Sequence, residues 1–159
     1  MALQYKYSDN KTERFINYYK NPGNYQTERY HLTGHEFNVL YQINHNVSAF
    51  VGYTRSTAKV NWDDREDGYI FTGSKRDSRS GYHVGIIGQT KIADDVTAWA
   101  SVSAGNRVTG YELGIGYDID RNTELNLFYR HTKYKDFNFF GHDVDVTTKG
   151  LGAGVTYKF

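Results

Sequence analysis

Apolar side chains recur at every second position from Val39 to the last residue, and this beat constrains the fold more than any other feature of the chain. It runs through Val39, Tyr41 and Ile43, then Val47, Ala49, Val51 and Tyr53, then Tyr82, Val84 and Ile86, then Val96 to Ala104. It continues through Tyr111 to Ile119, Leu125 to Tyr129 and Leu151 to Phe159. A period of two belongs to a β-strand with one apolar face, whereas a helix repeats every 3.6 residues. Leu3, Tyr5 and Tyr7 add an eighth strand to these seven. An even number of antiparallel strands with no helix between them predicts a single all-β domain over residues 1–159, an up-and-down barrel whose closure removes exposed edges. The counts of 15 Tyr, 9 Phe and 16 Gly against one Pro favour strands and tight turns in the same way.

The connections fall into two classes. Ile43 to Val47, Ile92 to Val96 and Ile119 to Thr123 share one form, an Ile, three polar or small residues and then a β-branched residue. Each such turn pairs positions four apart and so keeps the facing of both strands. The third pairing sets Glu112 opposite Arg130, Gly114 opposite Phe128 and Asp118 opposite Glu124. The remaining connections, near residues 9–29, 62–80, 105–109 and 135–146, are longer and polar. Short turns at one end and long loops at the other are the asymmetry of a transmembrane barrel with short periplasmic turns and long external loops.

The contents of the two faces decide which is inside. The face opposite the apolar one carries Ser48, Thr54, His83, Ser101, Glu112, Glu124, Asn126, Arg130 and Lys158. That set suits a hydrated or salt-bridged lumen, with Glu112 and Arg130 as its ion pair and an aromatic, Phe128, covering Gly114. Asp118 and Glu124 are tolerable neighbours if Lys158 or Lys6 lies near. Phe50, Trp99, Phe128, Leu40 and Ile87 share the inner face and are expected to block a continuous pore, because eight strands leave an interior just wide enough for side chains. On the apolar face, Tyr53, Tyr82, Tyr111 and Tyr129 sit near the long-loop end and Tyr41, Tyr117 and Tyr157 near the short-turn end. Two aromatic girdles around a band of Val, Ala, Leu and Ile describe a surface that faces lipid. A soluble lipocalin-like lipid carrier, with the apolar face lining a cavity, is the competing arrangement.

Composition removes other classes. With 19 basic and 18 acidic residues the formal charge is +1, which argues against nucleic acid as a partner. No cysteine is present, so thiol chemistry and disulfides are excluded. A mean hydropathy of -0.71 and short charge-free runs exclude a membrane-spanning helix. Lys6, Asp9 and Lys11 interrupt any signal-peptide core, so a secreted protein is expected here in mature form.

Gly152, Gly154, Tyr157 and Phe159 resemble the C-terminal assembly signal of outer-membrane barrels: a final aromatic, another two before it and a glycine five before it. With the alternation, the chain resembles the small eight-stranded outer-membrane family that includes OmpX, Ail and the OmpA membrane domain. The resemblance implies a Gram-negative outer membrane, outer-membrane lipid, lipopolysaccharide and the barrel assembly machinery as partners, and roles ranging from structural protein to adhesin. It also raises lipid A hydrolysis, for which Ser78, Ser80 and His83 are the candidate Ser/His set. The His-x-Ser step that such an enzyme shows is absent at His131, where Thr132 and Lys133 follow.

The other candidate sites follow from residue type. His31 and His35 stand four strand residues apart, roughly 13 Å, too far to share a metal ion. Neither a metal site nor a cofactor is expected. Arg55, Lys59 and Lys133 face outward above the Tyr row, where they are expected to meet lipopolysaccharide phosphates. Tyr18, Tyr19 and Tyr25 in the first loop and Phe137, Phe139 and Phe140 in the fourth are the expected partner-binding residues, since clustered aromatics are what binding surfaces use. The expected function is a non-catalytic outer-membrane barrel with a plugged lumen and external loops for surface binding or a structural role. A lipid A hydrolase, a porin or a piece of one, and the soluble carrier are the alternatives.

Overall fold

The structure is a computed structural model that describes residues 1–11, 15–18, 24–66, 68–139 and 142–159. Nine strands are described: β1 (Ala2–Lys11), β2 (Phe15–Tyr18), β3 (Tyr25–Asn44), β4 (Val47–Glu66), β5 (Tyr69–Ala93), β6 (Val96–Gly105), β7 (Val108–Asp118), β8 (Thr123–Phe139) and β9 (His142–Lys158). All neighbours are antiparallel. The ring runs β1-β9-β8-β7-β6-β5-β4-β3 and closes by pairing β1 with β3, so eight strands form the barrel. β2 pairs with β3 beyond the end of β1.

The registers inferred from the short turns are the observed ones. Gln42 pairs with Ser48, Lys91 with Thr97 and Asp118 with Glu124, with a local irregularity at the first two turns. In the third turn the Asp120 carboxylate accepts the backbone N–H groups of Asn122 and Thr123, both at 2.8 Å. Those two bonds favour the ionised form and hold the Asp120 carboxyl below its usual range.

The long connections differ from expectation. Residues assigned to loops are largely strand: β4 and β5 run on to a hairpin at Gly68, whose φ of 87° is a backbone state glycine adopts without strain. At roughly 3.3 Å per residue the 25 residues of β5 span roughly 80 Å, against the ~9–11 residues a membrane crossing takes. The barrel wall therefore continues well past the aromatic girdle as a protruding sheet. Polar composition was a poor guide here because a strand outside the lipid alternates polar with polar.

The interior is the polar face. Buried polar residues outnumber buried apolar ones among the described residues, while Val51, Val84, Val102, Leu113, Leu127 and Leu151 are exposed on the outside. A soluble carrier built on this register has its apolar face on the wrong side. The buried apolar residues form two separate layers. The lower comprises Leu40, Phe50, Ile87, Trp99 and Phe128; the upper comprises Leu32, Ala58, Val60, Val108, Tyr134 and Phe137. One detail of the lower layer differs from the sequence reading: the ring over Gly114 is Trp99, and Phe128 lies over Gly152. Gly114 and Phe128 are register partners, but the large ring tilts to the neighbouring strand where another glycine makes room.

Candidate functional site

Between the two apolar layers lies an ionic layer that crosses the lumen. The inward positions of β7 and β8 bring Glu112 against Arg130, whose Nε donates to Glu112 Oε1 at 2.8 Å while its Nη2 bonds the same oxygen. The guanidinium also reaches Glu36 Oε2 on β3 at 2.7 Å and Ser8 Oγ on β1 at 3.2 Å. Lys6 Nζ on β1 completes the square, 2.5 Å from Glu112 and 3.6 Å from Glu36. Lys6 and Arg130 are 0% and 2% exposed, so two cations and two carboxylates balance out of contact with water. Lys6 also sits 5.8, 5.1 and 5.5 Å from the rings of Phe50, Trp99 and Phe128, which ties the ionic layer to the aromatic one below.

Further polar groups extend this network. Asn38 donates to Glu36 at 2.7 Å and to Gln4 at 3.2 Å, and His83 Nε2 lies 2.9 Å from Asn38 Oδ1. Toward the turn end, Lys158 Nζ donates to Asp118 and Glu124, both at 2.8 Å, so Lys158 separates the two carboxylates that the register sets side by side. Lys6, the other lysine considered for that role, serves the ionic layer instead. Of the proposed ion pair, Glu112 and Arg130 are therefore half of a larger group. Glu36 and Lys6 were not assigned to it from sequence because β1 and β3 are not joined by a short turn, and their mutual register cannot be read from a turn length.

The remaining sequence candidates separate. Arg55 and Lys59 lie outward on β4, paired laterally with His35 and Ser80 and with His31 and Arg76. Lys133 lies on β8, four strands away in either direction round the ring, and bonds Asp145 at 2.8 Å. That ion pair and hydrogen bond hold the Asp145 carboxyl below its usual range. The three cations do not form one site. His31 bonds Asp9 at 2.5 Å and His35 bonds the Tyr5 hydroxyl at 2.8 Å. Ser78 and Ser80 face outward while His83 is buried in the lumen, so the wall stands between the members of the suggested Ser/His set.

Among the aromatic loop residues, Phe137 is a correction. It is fully buried beside Tyr134, with ring centroids 6.4 Å apart. The cause is a bulge between Tyr134 and Phe137, where Asp136 takes a φ of 61° and the strand reverses its facing. Tyr25 is half-buried, with Arg65 5.5 Å from its ring. Tyr18 and Phe139 are described as strand backbone only, and Tyr19 and Phe140 lie outside the described residues. Gly152 and Gly154 pair with Ser8 and Lys6 of β1, and the rings of Tyr157 and Phe159 meet edge to face at 5.2 Å.

No family model matches the sequence, and no curated protein is similar to it. Among solved structures the chain is similar to the KdgM porin and to the KdgM porin in complex with disordered oligogalacturonate. Each is 11% identical with a TM-score of 0.36, over 100% of this chain and 99% of that one. An outer-membrane channel from Pseudomonas putida F1 is 8% identical with a TM-score of 0.32, over 98% of this chain and 93% of that one.

Proposed function

We propose that the chain is an integral outer-membrane barrel whose lumen is closed, which carries out no catalysis, and which acts through the sheet and loops that project beyond the aromatic girdle. The observation that carries this reading is the closed ionic square of Lys6, Glu36, Glu112 and Arg130, stacked on the Phe50, Trp99 and Phe128 layer. Ions crossing the lumen would have to break charge-assisted bonds in a low-dielectric interior. The outward apolar band and its two tyrosine girdles support the lipid setting. Gly152, Gly154, Tyr157 and Phe159 are assigned to recognition by the assembly machinery, and kinship with the small eight-stranded family rests on this architecture.

Partners follow from position. Arg55 and Lys59, beside His31 and Arg76, are placed to meet lipopolysaccharide phosphates on one side of the barrel, and Lys133 on the other. Surface binding or adhesion is assigned to the projecting strands, with Tyr25 among the residues available there. The test is conductance: purified protein inserted in a planar lipid bilayer is expected to give no regular current steps. Uniform steps from the unaltered protein would replace this reading with a pore.

A further inference from the structure

Among the described residues, β1 and β9 are not paired over the full height of the wall. Among the described residues their ladder runs from Ala2–Lys158 to Ser8–Gly152 and stops, although the other end of β9 reaches His142. Asp9, Asn10 and Lys11 pair with β3 alone, and so does β2. On the opposite side of the rim the short β6–β7 hairpin is bridged. Arg79 Nε of β5 donates to the Asp136 carbonyl of β8 at 2.8 Å, and the Asn138 N–H donates to Asp77 at 2.8 Å. Among the described residues the protruding wall is thus laced at β5 and β8 and open at β1 and β9.

A cavity of about 280 Å³ occupies the opening. Leu32, Tyr30 and Val146, which line it, stand at inward positions, whereas Lys11 and Lys149, which also line it, stand at outward ones. A cavity lined from both faces of a sheet lies across the line of the wall. Its inner end meets the upper apolar layer, against which Tyr30, Trp62 and Val146 pack. The Tyr30 hydroxyl is turned to Glu28 at 2.8 Å, and burial together with that carboxylate pushes it up to about 12, so it stays a neutral lining group. At the foot of the opening Asn10 lies over Gly150 so closely that a Cβ there has no room, and its Nδ2 is buried without a hydrogen-bond partner. The outer mouth is cationic and the inner end apolar.

We propose that this seam binds a single-chain anionic amphiphile, a fatty carboxylate, with its tail passing through the wall to the upper apolar layer and its head between Lys11 and Lys149. The volume lies at the lower edge of ligand pockets, roughly 300 Å³, which suits one chain and excludes a multi-chain lipid. The proposal rests on the membrane-barrel reading above.

The chain has two tryptophans, so Trp99→Phe leaves Trp62, beside the inner end, as the reporter. This variant, in vesicles of unbrominated phosphatidylcholine, is titrated with dibromostearate, whose bromines quench on contact. The expected result is saturable quenching, reversed by stearate and removed by Val146→Phe. Lys11→Gln with Lys149→Gln is expected to weaken it about tenfold or more, since the loss of even one charge-assisted contact is worth about that much, with no effect on the dibromo alcohol. Quenching that rises linearly with added dibromostearate, is absent, or persists in all variants overturns the seam. Heat-shifted gel mobility of the unaltered protein and of each variant is read first: its absence in the unaltered protein counts against the membrane barrel, a failure distinct from that of the seam.

Discussion

Replacing Arg130 by methionine is expected to lower the free energy of unfolding in lipid vesicles by about 3–5 kcal/mol. Arg130 is the member of the ionic layer that reaches both carboxylates and Ser8. Without it, Glu36 and Glu112 remain buried with Lys6 as their one close lysine or arginine partner among the described residues, and His83 Nε2 3.5 Å from Glu36. Methionine fills much of the volume, so the loss reports the uncompensated charge more than a cavity. Lysine at the same position keeps the charge but loses the planar fork that spans Glu112 and Glu36, and is expected to fall between the two. Adding Glu112→Gln to the methionine variant removes one orphaned charge and should recover part of the loss, as residues of one network do not act additively. Urea unfolding followed by tryptophan fluorescence measures all four proteins. A loss under about 1 kcal/mol for Arg130→Met would mean that water reaches this layer, since exposed pairs contribute about that little.

The second large effect is on the opposite face. Leu127 is 52% exposed, lies outward on β8 between Leu125 and Tyr129 and pairs laterally with Ile115 and Ala153. In water an arginine there is a surface substitution, expected to change stability by no more than ~0.5 kcal/mol. Near the middle of a bilayer the same change costs about 2–4 kcal/mol. Leu127→Arg is therefore expected to cost that larger amount in vesicles, while Thr147→Arg, outward beyond the girdle on β9, stays near zero. Equal effects at the two positions would remove the lipid band from the account.

Strand number, facing and three of the hairpin registers were legible in the sequence because each rests on local chemistry. Alternation gives the face, and a short turn such as Ile119 to Thr123 gives the pairing that joins Glu112 to Arg130. What was not legible depends on distant pairing or on a break in the alternation. Glu36 enters the ionic layer through the β1–β3 closure, which no short turn encodes. Phe137 read as a loop aromatic because residues 135–146 read as a polar connection; the strand continues instead, and the bulge at Asp136 turns it in. Ser80 and His83 looked adjacent, yet an odd separation along a strand puts them on opposite faces, a point the same period of two contains. The β1–β9 seam could not be seen at all, since nothing in residues 9–11 or 142–150 marks a ladder that ends early.

The claim that everything else stands on is that the apolar face of this barrel meets lipid. It is tested most directly by diluting urea-unfolded protein into plain buffer and, in parallel, into phospholipid vesicles or detergent micelles, with circular dichroism and gel mobility of heated and unheated samples. The account predicts a β-rich species whose mobility shifts on heating and which forms only with lipid or detergent. A stable, β-rich monomer in plain buffer would contradict it, because the exposed band of Val, Leu and Ile would then be facing water.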